Sequence, residues 1–257
     1  VTVYDSPSVW RDERARQRRA GLSLGVVPTM GALHDGHVSL VRRSRAENHR
    51  TLVTIFVNPT QFNDAKDLER YPRTLEQDLE MLSAEGADAV FVPKHADLYP
   101  DGYRYRVIET ERSKTLEGAL RPGHFDGVLT VVTKLLQIAS AERAYFGEKD
   151  WQQLSLVRDM ADAFFLPTEI VGCATVRADD GLALSSRNRL LSDADRRRAP
   201  RLFRALTDAA TPEEAARSLA ANGFVVDYVV DDNGRRLGAA RLGGVRLIDN
   251  VPLGGRS

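Results

Sequence analysis

Residues 22–47 read LSLGVVPTMGALHDGHVSLVRRSRAE, and the fold turns on how this stretch is parsed. Leu22 to Thr29 is a short apolar run suited to a buried strand, with Val26 and Val27 at its end and Pro28 marking the exit. Met30, Gly31 and Ala32 then have to turn the chain, and an amphipathic helix follows from Asp35 to Glu47. His34 and His37, two of only five histidines, fall in or beside the first helical turn, three apart and on one side. Amides at a helix start lack intrahelical partners, and the helix dipole there favours anions. Gly36 removes a Cβ that would hold an anion off the backbone. Imidazoles can add hydrogen bonds to phosphate oxygens. The stretch therefore reads as a phosphate site at the end of a strand. Two other readings stay open: a zinc site through His-x-x-His, and a pair of core histidines. The zinc reading lacks the spacing of four, the intervening Glu and a third ligand cluster. No Gly-Lys-Ser/Thr follows, so this is not a P-loop.

Outward from this unit, β-branched runs keep alternating with longer amphipathic segments. Residues 51–58, 87–93, 143–148 and 168–173 read as strands; 73–86, 125–139 and 150–164 read as helices. Such alternation implies parallel strands with right-handed crossovers, an α/β Rossmann-like doubly wound parallel sheet over residues 1–174. Ligands of such sheets sit beyond the carboxyl ends of the strands. After 174 the pattern changes to a polar stretch and two helical stretches, 193–210 and 212–223. Two strand stretches follow, with Asn233-Gly234 as a hairpin turn. Residues 175–257 are thus expected to form a smaller C-terminal α+β lid domain.

Composition limits the function. Lys plus Arg equals Asp plus Glu at 36 each, which argues against a surface built for nucleic acid or anionic membrane. No apolar run approaches the length of a membrane span, and residues 10–19 read as a polar helix instead of a signal peptide. The single cysteine, Cys173, fits a reducing, cytoplasmic setting and reads as a small core residue.

Further polar stretches leave other expected strand ends. Asn58 and Gln61 can grip hydroxyls or a carboxylate, or belong to a loop held by its own hydrogen bonds; Arg121 and His124, just before another helix, can supply charge or cap it. Lys149, in FGEKD, is aimed over a strand end where a cation would neutralise phosphate. LALSSRNR, residues 182–189, offers two hydroxyls and two guanidiniums suited to a phosphate clamp, or to a solvated linker. Cation, histidine and Ser-Arg loop together are equipment for nucleotide transfer without a covalent nucleophile.

The stretches PTMGALHDGH, FVNPTQF, DLERYPRT, RPGHFDGVLTVVTKLL, FGEKDWQQL and LALSSRNRLL carry a resemblance that runs over nearly the whole chain. The chain resembles the pantothenate synthetase (pantoate–β-alanine ligase) family, within the wider His-x-Gly-His nucleotidyltransferase group. The resemblance implies an ATP-dependent ligase acting with Mg²⁺. Pantoate and ATP would give pantoyl adenylate and pyrophosphate, and β-alanine would then displace AMP to give pantothenate. It implies catalytic roles for His37, His34, Lys149 and Arg187. It implies an ATP site of Met30, Gly31, Ala32, Leu33, His34, Asp35, Gly36, His37, Gly147, Glu148, Lys149, Asp150, Val176, Leu184, Ser185, Ser186 and Arg187. Gln61 would contact pantoate and β-alanine, and Gln153 would hold pantoate. No protein metal ligands are expected, and the implied assembly is a cytoplasmic homodimer. Lys66 and Asn63 depart from the usual acidic residue and glycine of that loop, and the segment after residue 205 is shorter than in many relatives. A plain adenylyltransferase and a non-catalytic nucleotide sensor are the rival functions.

Overall fold

The structure is a computed structural model and describes residues 1–254. The chain divides into two compact units. The larger comprises Val1–Leu33, His37–Gly147 and Gln152–Cys173; the smaller comprises His34–Gly36, Glu148–Trp151 and the chain from Ala174 onward.

In the larger unit the strands are β1 (Thr2–Tyr4), β2 (Leu24–Thr29), β3 (Arg50–Ile55), β4 (Ala89–Phe91), β5 (Arg143–Gly147) and β6 (Glu169–Cys173). They form one parallel sheet in the order β1-β4-β3-β2-β5-β6. The chain begins at the edge with β1, enters the middle at β2, runs outward through β3 and β4 until β4 lies beside β1, then crosses to β5 and β6. This is the doubly wound arrangement, and its switch point lies between β2 and β5. The connecting helices are α1 (Pro7–Arg19), α2 (Asp35–Glu47), α3 (Ala65–Arg70), α4 (Leu75–Ala84), α5 (His95–Leu98), α6 (Glu117–Leu120), α7 (His124–Ala139) and α8 (Trp151–Ala163). Val27, Val41, Val53, Leu82 and Val90 meet in the core between sheet and helices. Cys173 is buried with them, as a small core residue should be.

Pro28 lies inside β2 and not at its exit. Even-numbered residues of β2 face β5, where Leu24 O accepts the Glu142 amide; odd-numbered ones face β3, where Thr29 O accepts the Phe56 amide. Pro28 therefore presents its missing N–H toward β5. Pairing with β5 stops at Val26↔Ala144, while pairing with β3 runs on to Thr29↔Ile55. The ladder is thus unzipped on the β5 side of β2, at the carboxyl end where a doubly wound sheet takes its ligands.

Two elements differ from expectation. β1 was not foreseen, since three residues carry no readable period and the strand exists only through its pairing with β4. The stretch read as a polar helix buries Trp10, Arg14 and Gln17. Arg14 grips both carboxylate oxygens of Glu142 at 2.6 and 2.7 Å, so its charge is satisfied inside.

The smaller unit holds the antiparallel sheet β7 (Val225–Asp232), β8 (Arg235–Leu242) and β9 (Val245–Pro252). Its helices are α9 (Asp193–Arg198), α10 (Arg201–Asp208) and α11 (Pro212–Ala221). Asn233 and Gly234, at φ 46° and 74°, turn β7 into β8 as expected of an Asn-Gly hairpin. The stretch 193–210 is two helices and not one, because Pro200 has no amide to continue the ladder. Leu202, Leu206, Leu219, Phe224, Leu242 and Leu247 form its core.

Candidate functional site

Three polar stretches leave the carboxyl ends of the adjacent strands β3, β2 and β5. After β2, Gly31 and Ala32 both take left-handed φ values, 77° and 51°. For an L-residue such as Ala32 that conformation costs about 1–2 kcal/mol, so the turn must be held. The buried carboxylate of Asp78 on α4 accepts the amides of Ala32 at 2.9 Å and Leu33 at 2.8 Å. Those two amides are engaged inside the protein instead of facing a phosphate.

His34 immediately precedes α2 and caps it, Nδ1 accepting the Gly36 amide at 3.1 Å. A ring nitrogen that accepts carries no proton, so His34 is neutral with its hydrogen on Nε2. Burial, above all, and then the charges of Lys149 and Arg189 hold its pKa below the ordinary imidazole value. A Cβ on Gly36 would stand 2.8 and 2.9 Å from the His34 ring. Gly36 thus also makes room for the imidazole of His34. Because the folded-state pKa is depressed, unfolded chains take up the proton first as pH falls. The stabilisation is whole above about pH 6.5 and drains away below it. An NMR titration should find the His34 midpoint below about 6.5; a midpoint at or above that value would remove the capping tautomer.

The turn after β5, Glu148–Asp150, is fastened by residues that sequence reasoning missed. Asn250 on β9 donates to the carbonyls of Glu148 and Lys149 at 2.8 and 3.0 Å. Arg235 pairs with Glu148 at 3.2 Å and lies 4.3 Å over the Trp151 ring. Lys149 itself is largely buried, its ammonium 3.9 Å from the half-exposed Asp150. Asn250 and Arg235 carry no signal in a sequence read as strand; only the β8–β9 register brings them here.

The stretch 174–191 belongs to the smaller unit and is folded on itself, not a solvated linker. The Leu184 amide donates to Val176 O, Asn188 donates to Ala183 O, and Ser185 Oγ accepts the Arg187 amide. Arg177 makes a bidentate pair with buried Asp249 at 2.6 and 2.9 Å and stacks 3.9 Å from the Phe203 ring, anchoring the stretch to β9. Leu184, Ser185, Ser186 and Arg187 are all half-buried.

In the larger unit, Gln61 lies in a 3₁₀ turn, Pro59–Gln61, after β3. Its side chain accepts from Asn58 at 3.0 Å and donates to Met30 Sδ at 3.2 Å. Asn58 is engaged with Gln61, Gly127 O, Thr60 and Tyr99, so it holds the loop through its own hydrogen bonds, one of the two readings its sequence allows. His124 donates from Nδ1 to Gln61 O at 2.8 Å and meets Arg121 through Nε2 at 3.1 Å. Gln153 is half-buried on α8, and its neighbour Gln152 is consumed by the backbone of residues 112–117. The Asn63 side chain donates to Pro122 O, so that departure serves the loop's own hydrogen bonds; the Lys66 backbone amide binds the Asp64 cap of α3, as any residue's amide there would.

The smaller unit therefore gathers His34, Asp35, Gly36, Glu148, Lys149, Asp150, Val176, Leu184, Ser185, Ser186 and Arg187. The larger holds Met30, Gly31, Ala32, Leu33, His37, Gly147, Gln61 and Gln153. Imidazole, ammonium and guanidinium groups from sequence positions 34, 149 and 189 share one electrostatic environment. Among the described residues no three His, Cys, Asp or Glu side chains gather as metal ligands. Among them, too, no helix is long and apolar enough to cross a membrane.

A doubly wound parallel sheet, a helix start carrying both histidines beyond its switch strand, and a small antiparallel sheet define a Rossmann-like α/β protein. The family described as pantoate-beta-alanine ligase matches residues 2–252. The chain is 53% identical to the pantothenate synthetase of Bdellovibrio bacteriovorus over 98% of its length and 99% of the relative's. It is 52% identical to that of Cereibacter sphaeroides, over 92% and 94%. The crystal structure of the Francisella tularensis pantoate-beta-alanine ligase, complexed with beta-gamma ATP and beta-alanine, is similar at TM-score 0.92 and 40% identity, covering all of both chains. That of the Thermus thermophilus pantothenate synthetase gives 0.89 at 40% identity, covering 98% and 99%. The chain belongs to the pantoate-beta-alanine ligase family, and the fold and ligase class expected from its sequence stand.

Proposed function

We propose that this protein condenses pantoate with β-alanine to pantothenate in two steps driven by ATP. A carboxylate is a poor acyl electrophile until one oxygen becomes part of a good leaving group. A pantoate carboxylate oxygen attacks the α-phosphorus of ATP, forming the mixed acyl–phosphate anhydride of pantoyl adenylate as the bond to the β-phosphate breaks and pyrophosphate leaves. The amine of β-alanine then attacks the acyl carbon, loses a proton, and expels AMP.

Negative charge gathers on the phosphates in the first step, so pre-placed donors lower the barrier. His37, the neutral His34 through Nε2–H, Lys149 and Arg187 supply them in this reading. The remaining stretches of the ATP site, Met30 to Gly36, Gly147 to Asp150, Val176 and Leu184 to Ser186, line the nucleotide. Gln61 and Gln153 hold pantoate, an uncharged pair suited to a hydroxyl-bearing acid instead of a second phosphate. Mg²⁺ carried by the triphosphate would neutralise part of its charge. A homodimer in the cytoplasm, with the chain from 175 onward serving as a lid, completes the proposal.

One observation carries it: a match to one ligase family over residues 2–252, with His34 and Lys149 close enough for the ammonium to depress the imidazole. The test follows pyrophosphate from purified protein, ATP, Mg²⁺ and pantoate, with and without β-alanine. Pantoate-dependent pyrophosphate, with AMP and pantothenate appearing only when the amine is added, is expected. Pyrophosphate with no amide product would indicate a plain adenylyltransferase. No pantoate-dependent pyrophosphate at all would leave a nucleotide sensor.

A further inference from the structure

The turn between β2 and α2 is held by an acidic side chain buried beneath it. Three consecutive amides are bound there: Gly31 by Thr29 Oγ1 at 3.2 Å, Ala32 by Asp78 Oδ2 at 2.9 Å, and Leu33 by Asp78 Oδ1 at 2.8 Å. Successive amides around left-handed residues form a concave nest that binds anions. Here the nest is filled by the chain's own carboxylate. Asp78 is 2% exposed and also accepts the Thr74 hydroxyl at 3.2 Å. Its helix is seated by Leu82, which is wholly buried in the core beneath the sheet. A Cβ at Gly31 would stand 2.9 Å from Asp78 Oδ2, so the glycine is what lets the carboxylate close on the turn.

We propose that Asp78 is a positioning residue for the ligase reaction: by filling this nest it holds Gly31 and Ala32 left-handed and fixes where α2 begins, and with it His37. The inference rests on the function proposed above. The carboxylate touches no reacting atom; it acts through the turn. Both Asp78 oxygens are used as acceptors, one for each amide. An asparagine would keep one acceptor and turn an NH₂ donor against the other amide. The Ala32 strain would then have nothing to oppose it, and the turn would relax toward right-handed backbone.

Hydrogen exchange on the wild-type protein should show the Ala32 and Leu33 amides protected at least about 10²-fold relative to open loops. In Asp78→Asn that protection should vanish while β2 and β3 keep theirs. The kcat for pantoate-dependent pyrophosphate release should fall about 30-fold, with KM for pantoate and β-alanine within about twofold, since misplacement by a fraction of an ångström suffices. A glycine at 32 removes the strain, so in an Ala32→Gly background the loss caused by Asp78→Asn should shrink to about fivefold. A merely structural aspartate would cost the same factor in both backgrounds, and that result would overturn the proposal. So would unprotected amides in the wild type, or a change confined to KM. Should Asp78→Asn fail to fold, Thr74→Val removes one donor to the same carboxylate; partial loss of the two protections is expected, and full protection with normal kcat counts against it. If wild-type protein releases no pantoate-dependent pyrophosphate, the function proposed above fails, and the exchange measurement still decides what Asp78 holds.

Discussion

Lys149→Ala is expected to cut pantoate-dependent pyrophosphate release by about 10²–10³-fold, the usual cost of losing one placed donor to a charged transition state. Its folding should scarcely change. The ammonium is 3.9 Å from Asp150, whose side chain is 49% exposed, and pairs of that kind contribute little to stability. The turn that carries Lys149 is held by its backbone carbonyls through Asn250, which the substitution leaves intact. A melting temperature within about 2 °C of wild type is expected alongside the loss of rate. His37→Ala should behave alike. Near-normal turnover in either variant would withdraw that residue's role, and equal losses of rate and stability would make it structural.

Gly127→Ala should have an effect as large by a different route. Gly127 lies in the first turn of α7, packed against the backbone of the turn that bears Gln61. An added Cβ would stand 2.5 Å from Thr60 O, 2.6 Å from Thr60 C and 2.7 Å from Gln61 N. All three are backbone atoms, so no rotamer change relieves the clash, and ordinary contact requires a shift of roughly an ångström. That shift also strains the Asn58–Gly127 O and His124–Gln61 O hydrogen bonds that clamp the turn onto α7. Destabilisation of about 3 kcal/mol is expected from overpacking plus weakened hydrogen bonds. Displacement of Gln61 should lower kcat/KM for pantoate about 10²-fold. Thermal melts and pantoate titrations check both, and an unchanged pantoate KM in a folded variant would detach Gln61 from pantoate.

The residues that were legible from sequence share one property: their signal is local. The alternation of β-branched runs with helical periods gave the parallel sheet its strands, because burial on both faces demands such runs. Asn233-Gly234 announced its hairpin, since its two positive φ values suit few other pairs. His34 and His37 could be placed at a helix start because strand, turn and helix follow each other within a few residues. That Gly36 also makes room for the His34 ring was not legible, because it depends on a rotamer the sequence does not show. Which of its two readings Asn58 takes is decided by partners on the 3₁₀ turn, on α7 and at Tyr99, which no local pattern names. The burial of Arg14, within a stretch read as a polar helix, was not legible because its counter-ion Glu142 stands 128 residues away.

Composition, hydrophobic period and turn residues by themselves determined a doubly wound α/β chain with a small second sheet and named the polar stretches that carry its chemistry. Tertiary structure decided what holds those stretches in place: Asp78 under the turn after β2, Asn250 and Arg235 on the turn after β5, Asp249 on the Arg177 stretch, Gly127 beneath Gln61. It also decided that Pro28 opens the sheet on one side only. The physical reason is range. Burial period and turn conformation are written between near neighbours, whereas a buried carboxylate meeting two amides 46 and 45 positions away exists only once packing has chosen the register.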